Sequence, residues 1–183
     1  FLMVLLISVF FSLTNKTIVF ATTQSNGSTG NYSFVVTSDP QFPWTDKTDN
    51  GISESESEKK SRSLQLIRNQ YYTNSTRNTR MTIINGDITA YGHSDEWTTM
   101  KQEMQRLNTR VTFGLGNHDI ENNFGGTWMN QAWERSYKNM YDALGLVPNI
   151  LGSHAWREDY FLTTKFAGSL SYSFRLGNFR VIQ

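Results

Sequence analysis

The sequence predicts an α/β fold in which β-strands and helices alternate along the chain. Three short, β-rich apolar runs, at residues 32–38, 81–85 and 111–115, are each followed by a polar loop. Helix-length segments separate these runs, and their apolar side chains recur every three or four residues. Such alternation is typical of β–α–β units with right-handed crossovers, whose strands lie parallel in one sheet.

Three helices are expected between and after the strands. The first begins near Ser53 in the acidic segment SESESEKK, which we interpret as a solvated helix start rather than a binding site. The second is expected to be capped by Ser94 or Asp95, and the third covers about residues 128–144. The side chains expected on their buried faces are Leu64, Ile67 and Tyr71 in the first, Trp97, Met100, Met104 and Leu107 in the second, and Trp133, Tyr137, Met140 and Leu144 in the third.

Two further β-rich runs close the sequence. Residues 170–174 and 179–182 flank Leu176-Gly177-Asn178, a pattern that is typical of a β-hairpin. No internal repeat is visible, and 183 residues suit one folded domain. We therefore predict a single domain across residues 32–183.

The composition excludes several classes of function. The sequence contains no cysteine, which rules out disulfides, thiolate zinc sites and a cysteine nucleophile. Its formal net charge is +1 and its Lys and Arg residues are scattered, so we expect no nucleic-acid-binding surface. The sequence gives no indication of oligomeric state.

The first 31 residues indicate export. Residues 1–11 are almost entirely apolar but too short for the roughly 20 residues of a membrane-spanning helix, and Val19-Phe20-Ala21 suits a signal-peptidase site. We predict a signal peptide over residues 1–21, a polar tether over residues 22–31, and a secreted or otherwise exported mature protein without a transmembrane helix. The alternative is that the apolar run is a buried strand or helix, which the polar tether disfavours.

Polar, potentially metal-binding residues follow each of the first three strands. The segments are SDPQ (residues 38–41), NGD (85–87) and GNHD (116–119). Because neighbouring parallel strands lie about 4.8 Å apart, groups at their carboxyl ends can share one ion or flank a pair of ions. Carboxylate, amide and imidazole donors together suit divalent ions such as Mn, Fe or Zn. Each segment alone could be a hydrogen-bonded turn, so the prediction depends on their succession.

In this order and spacing, the three segments resemble the motifs of the calcineurin-like metallophosphoesterases, which are Asp-x-His, Gly-Asp and Gly-Asn-His followed by Asp or Glu. The segments ITAYGHSDEW and SYSFRLGNFRVI also look like family segments, so the resemblance covers about residues 32–183. It implies a layered metallophosphoesterase-like β-sandwich with flanking helices. It also implies an enzyme that hydrolyses phosphomonoesters or phosphodiesters with a metal-activated water.

The resemblance implies two divalent metal ions (Mn, Fe or Zn) as cofactors and a phosphate ester as substrate. Asp39 and Gln41 would bind the first ion, Asp87 would bridge both ions, and Asn117 would bind the second through its amide oxygen. His118 would lie beside the phosphate, where it would stabilise charge or protonate the leaving group, and Asp119 would orient its imidazole.

The sequence departs from the family pattern in two respects. Gln41 stands where the family usually has a histidine, so an amide oxygen would replace an imidazole ligand. The family's later histidines do not follow the hairpin, so we expect the domain to continue past Gln183, and residues 1–183 alone to be inactive and to bind metal weakly. The alternative function is a non-catalytic exported binding module on a degenerate metallophosphoesterase fold.

The remaining histidines and the aromatic loop residues have several possible roles. His93 could contact metal or substrate, or could be a loop or helix-cap residue. His154 could line a substrate pocket, although we interpret it as a surface or packed residue. The aromatic residues in loops that could select the substrate are Phe42, Trp44, Tyr91, Phe124 and Trp128.

Overall fold

A four-stranded sheet forms the centre of the fold in the computed structural model. Its strand order is β1-β2-β3-β4, where β2, β3 and β4 are parallel and β1 is antiparallel to β2. The strands are β1 Val19–Thr23, β2 Tyr32–Thr37, β3 Thr79–Ile84 and β4 Arg110–Phe113. The structure describes residues 19–23, 32–75, 79–107, 109–120, 131–144, 156–159, 164–168, 170–176 and 179–183. The predicted parallel α/β arrangement is confirmed.

Helices occupy both crossovers of the parallel sheet. The helices are α1 Asp46–Asp49, α2 Glu56–Ser75, α3 Ser94–Gln105, α4 Asn117–Ile120 and α5 Ala132–Leu144. The first long helix begins three residues after the expected Ser53, because Ser55 caps it. The Ser55 N–H donates to Glu58 Oε2 at 3.1 Å and the Glu58 N–H donates to Ser55 Oγ at 3.3 Å, which is a capping box.

Two hairpins follow the parallel sheet. They consist of β5 Trp156–Asp159 with β6 Thr164–Ala167, and β7 Ser173–Leu176 with β8 Phe179–Ile182. The second hairpin is the predicted one, and the first was not expected. The side chain of Tyr172 donates to the Phe113 carbonyl at 3.0 Å, and that of Gln183 donates to the Ile84 carbonyl at 2.7 Å. These bonds fasten the second hairpin to the ends of β3 and β4. The β-sandwich layering stays a prediction.

The core forms where the long helices pack on the sheet. Nine of the side chains predicted to be buried are buried, namely Ile67, Tyr71, Trp97, Met100, Met104, Leu107, Tyr137, Met140 and Leu144. Trp133 is 44% exposed, so its predicted burial is wrong. It lies in the first turn of α5, where its ring packs edge-on against that of Tyr137 with the ring centres 5.1 Å apart. It also lines a cavity of about 390 Å³.

The predicted signal-peptidase site lies within a strand. Ala21 is in β1 and pairs with Phe34 of β2. Residues 1–18 and 24–31 lie outside the described residues, so the leader and the tether stay predictions. Among the helices of the described ranges, none has both the length and the apolar character that a membrane span needs.

Candidate metal centre

The loops after β2 and β3 are joined by backbone hydrogen bonds. The Asp39 N–H donates to the Gly86 carbonyl at 3.2 Å, and the Gln41 N–H donates to the Asp87 carbonyl at 2.8 Å. A further bond of 3.3 Å joins the Phe42 N–H to the next carbonyl of the second loop. The parallel pairing of β2 and β3 therefore continues past the strand ends. It places Asp39 and Gln41 directly beside Asp87.

Three residues of these loops have left-handed backbone conformations. The φ angles are 56° at Asp39, 47° at Gln41 and 49° at Asp87. This region costs a side-chain-bearing residue about 1–2 kcal/mol, although Asp tolerates it better than most residues. Backbone strain of this kind persists only where the surroundings enforce it, and it concentrates at functional sites. The three predicted ligands on these two loops are the residues that carry the strain.

The third loop packs against the second through two glycines. A Cβ atom on Gly116 would lie 2.1 Å from Asp87 Oδ1 and 2.6 Å from the Asp87 backbone nitrogen. A Cβ atom on Gly86, where φ is +93°, would lie 2.7 Å from the Gly116 nitrogen. The loops can approach this closely only because both residues lack a side chain.

Gly116→Ala is therefore expected to lower the free energy of unfolding by about 3 kcal/mol or more, because the new methyl group must displace the Asp87 carboxylate or the loop backbone. The matched control is Gly51→Ala. Gly51 has a positive φ but open space around it, so its replacement should cost only about 1 kcal/mol. Urea denaturation of both variants measures the difference. Equal losses would show that the contact with Asp87 has no steric consequence.

The Asp87 carboxylate connects the second and third loops. Its Oδ1 accepts a hydrogen bond of 2.9 Å from the His118 backbone N–H. Burial raises the pKa of Asp87, the bond from His118 opposes that rise, and the carboxylates of Asp119 and Asp39 raise the pKa further. Among the described residues, no hydrogen-bond donor contacts Asp87 Oδ2. This oxygen is therefore open to a cation in a region of concentrated negative charge.

The other predicted ligands differ in exposure. Asp39 is half-buried and accepts a hydrogen bond from the Ser38 hydroxyl, and Gln41 is also half-buried. Asn117 is the first residue of α4 and is exposed. The ranges described contain no cluster of three His, Asp or Glu side chains that could hold a metal ion. Two of the four predicted ligands, Gln41 and Asn117, are amides.

His118 is held by a backbone carbonyl. Its Nδ1 lies 3.0 Å from the Ala90 carbonyl oxygen, which can only accept a hydrogen bond. Nδ1 must therefore carry the hydrogen, which leaves Nε2 to interact with a substrate. The Trp44 ring contacts the imidazole edge-on, with centroids 5.2 Å apart. Both contacts fix the orientation of the imidazole ring.

The orienting role predicted for Asp119 is wrong, because its carboxylate is fully buried and is engaged elsewhere. Oδ1 accepts from the Thr89 N–H at 2.8 Å and from the Thr89 hydroxyl at 2.7 Å, while Oδ2 accepts from the Ile88 N–H at 3.1 Å and from the Gly116 N–H at 3.0 Å. Burial raises the pKa of Asp119, and these hydrogen bonds oppose the rise. Asp119 therefore joins the second loop to the third.

His93 is the N-cap of α3, so the prediction of Ser94 or Asp95 as the cap is wrong. Its N–H donates to Glu96 Oε2 at 3.0 Å, and its Nδ1 lies 3.3 Å from Glu96 Oε1. The helix-cap interpretation of His93 is confirmed. His154, Phe124 and Trp128 lie outside the described residues.

Sequence reasoning missed two contacts at this site. The Ala90 carbonyl was not recognised because a backbone acceptor leaves no trace in side-chain type. Lys59 lies in the segment that we interpreted as a solvated helix start, yet its ammonium group is 6.0 Å from the centre of the Trp44 ring. Its proximity depends on how α2 packs beside the loop after β2.

The family model for calcineurin-like phosphoesterases matches residues 32–178. The chain belongs to this family. No curated protein and no solved structure shows significant similarity to it. The matched region contains all three loops, so their contacts are part of a calcineurin-like phosphoesterase domain.

Calcineurin-like phosphoesterases generally use divalent metals, and the donor groups present in these loops fit such an ion. Carboxylate and amide oxygens are ligands that hard and borderline divalent cations accept. The open Oδ2 of Asp87 and the neighbouring Asp39 carboxylate supply the negative charge that a cation would neutralise. Gln41 and Asn117 would add neutral oxygens rather than imidazole nitrogens.

Proposed function

We propose that the protein is an exported, metal-dependent phosphoesterase that uses water to hydrolyse phosphomonoesters or phosphodiesters. The observation that best supports this is the junction of three strand-end loops in a calcineurin-like phosphoesterase domain. Asp39 and Gln41 lie beside Asp87, and Asp87 accepts a hydrogen bond from the backbone of His118. Candidate metal ligands and a candidate acid therefore share one small region.

Asp39, Gln41, Asp87 and Asn117 would hold the two divalent ions. Bound ions of this kind polarise a phosphoryl oxygen and make water more acidic. The role of these four residues would be to hold the ions in fixed positions. The interlocked backbones of the first two loops fix Asp39 and Gln41 relative to Asp87, so little reorganisation is needed when a cation binds.

His118 would act on the ester itself. The Ala90 carbonyl accepts from Nδ1–H, which leaves Nε2 facing the substrate. In the protonated imidazolium, Nε2–H can donate its proton to the leaving oxygen or a hydrogen bond to a phosphoryl oxygen, and the attacking water supplies the proton that restores it. Attack by water in line with the departing alcohol would break the P–O bond and form the new one on phosphorus. A monoester would give an alcohol and phosphate, and a diester would give an alcohol and a phosphomonoester.

Hydrolysis in ¹⁸O-labelled water tests this reaction class. If water attacks phosphorus, the phosphate product gains one labelled oxygen and the alcohol gains none. Label in the alcohol would contradict attack on phosphorus. Absence of hydrolysis by metal-loaded, folded full-length protein across aryl monoesters and diesters would favour the non-catalytic binding module.

Gln41→His is expected to shift metal preference toward zinc. An imidazole is a better zinc ligand than an amide oxygen, and histidine tolerates the left-handed φ of 47° better than most residues do. We expect zinc affinity to rise by about tenfold or more and manganese affinity to change less. Competition titrations with a metal indicator measure both affinities. An unchanged zinc affinity would indicate that residue 41 does not bind metal.

Export is tested by the N-terminus of the mature protein. Cleavage after Ala21 would leave Thr22 as the first residue and would divide the β1 segment. N-terminal sequencing of protein recovered outside the producing cell should therefore begin at Thr22. A retained leader on exported protein would contradict the predicted cleavage.

A further inference from the structure

Three side chains near the candidate metal centre form a feature that we call the aromatic–lysine shelf: Trp44, Lys59 and Tyr91. The Lys59 ammonium lies 6.0 Å from the Trp44 ring centre and 5.6 Å from the Tyr91 ring centre. It also lies 3.4 Å from the Tyr91 hydroxyl, and the two rings are 6.0 Å apart. These distances are typical of cation–π contacts, which hold the ammonium in place without neutralising its charge.

The shelf is adjacent to His118. The centre of the Trp44 ring lies 5.2 Å from the centre of the His118 imidazole and 6.0 Å from the Lys59 ammonium, so this ring lies beside both groups. Two contacts fix Trp44: its Nε1–H donates to Asp49 Oδ1 at 2.5 Å and its backbone N–H donates to the Gln41 carbonyl at 2.6 Å. The shelf therefore shares a turn with a predicted metal ligand.

Lys59 makes no ion pair with any carboxylate in the described part of the chain, and three acids near it have other partners. These are Glu58 with Ser55, Asp95 with Lys60, and Glu96 with the N–H groups of Tyr91 and His93. The adjacent lysine on α2, Lys60, does have a carboxylate partner, at 2.8 Å. Within the described ranges, the positive charge of Lys59 is thus not paired with a carboxylate, and the Trp44 ring lies between it and the proposed catalytic imidazole.

We propose that the aromatic–lysine shelf binds a second anionic group on the leaving-group portion of the substrate. The inference rests on the proposed function, because it takes His118 to act at the leaving oxygen and the shelf to lie beside His118. The substrate class is a phosphate ester or anhydride whose leaving group carries a further phosphate or carboxylate. Lys59 is then a specificity-determining residue, and Trp44 and Tyr91 hold it in position.

Binding of non-hydrolysable probes by calorimetry tests this on the manganese-loaded full-length protein. The two charged probes are 4-carboxybenzylphosphonate and the bisphosphonate in which a second phosphonate replaces its carboxylate. The third probe is the carboxylate methyl ester of the first, which keeps the phosphonate but lacks the second charged group. The wild type should bind the two charged probes about tenfold more tightly than the ester, since a charge-assisted hydrogen bond is gained. Lys59→Met should abolish this preference and leave ester affinity within about twofold. Lys59→Arg should retain the preference.

The matched control is Lys60→Met, which removes the same charge one residue along α2 and should keep the preference. The ratio of the affinities for the two charged probes shows whether the shelf binds a carboxylate or a phosphonate more tightly. Equal affinity of the wild type for the two charged probes and the ester, or a preference that survives in Lys59→Met, overturns the proposal. A Lys59-dependent preference without hydrolysis of any ester would retain the shelf as an anion-binding site but would contradict the proposed function and the assignment to a leaving group.

Discussion

Replacing His118 with alanine is expected to lower the turnover of 4-nitrophenyl phosphate by about 10²–10⁴-fold while metal content stays close to that of the wild type. The imidazole is held by the Ala90 carbonyl and by the Trp44 ring, so its Nε2 is in place before substrate binds. The hydrogen bond that His118 makes to Asp87 comes from its backbone N–H, and alanine keeps that group. Turnover must be normalised to folded, metal-loaded protein.

His93→Ala is the matched control, because the same imidazole is removed from a helix cap rather than from the junction of the loops. It should reduce stability slightly and leave turnover within a few-fold of the wild type. If His118→Ala keeps near wild-type turnover per folded molecule, GNHD is a structural turn and His118 is not catalytic.

Asp87→Asn is expected to remove metal and activity together. Asparagine tolerates the left-handed φ of 49°, and its amide oxygen can still accept the His118 N–H bond, so the loops should keep their positions. The change replaces the open Oδ2 with an NH₂ group, which cannot bind a cation, and removes one negative charge. Metal occupancy should fall by at least about half and turnover by about 10³-fold or more.

Asp142→Asn is the control for the charge change, since Asp142 is exposed on α5 and pairs only with Lys138 within the described residues. Its metal content and turnover should equal those of the wild type. Elemental analysis after dialysis gives occupancy for both variants, and thermal denaturation shows whether they fold. Full occupancy in Asp87→Asn would contradict the bridging role of Asp87.

The sequence was sufficient to predict the parallel strands and long helices because their periodicity comes directly from burial. Ile67 of α2, Trp97 of α3 and Met140 of α5 each belong to a set of apolar residues at helical spacing, and all three are buried. The strand-end segments could also be predicted to meet, because parallel strands place their carboxyl ends along one edge. The first long helix begins at Glu56 rather than near Ser53, because Ser55 caps it. Apolar periodicity alone does not detect such a cap.

The finer features of the site depend on tertiary contacts that residue order does not encode. Asp119 follows His118 in the chain, yet their side chains have different partners, because the short helix α4 turns the carboxylate toward the buried N–H groups of the second loop. Lys59 reaches Trp44 only through the packing of α2 beside the loop after β2. Trp133 fits the helical spacing of the buried residues of α5, but its own side chain is exposed.

The most direct test of metal-dependent phosphoester hydrolysis is a titration of metal-depleted full-length protein with Mn²⁺, Fe²⁺ or Zn²⁺. Turnover of 4-nitrophenyl phosphate and of bis(4-nitrophenyl) phosphate is followed together with the number of ions bound per chain. We predict no turnover without metal and a rise with occupancy that saturates at two ions per chain. Equal turnover in chelator-treated protein, or full metal loading without hydrolysis of either ester, would contradict this function.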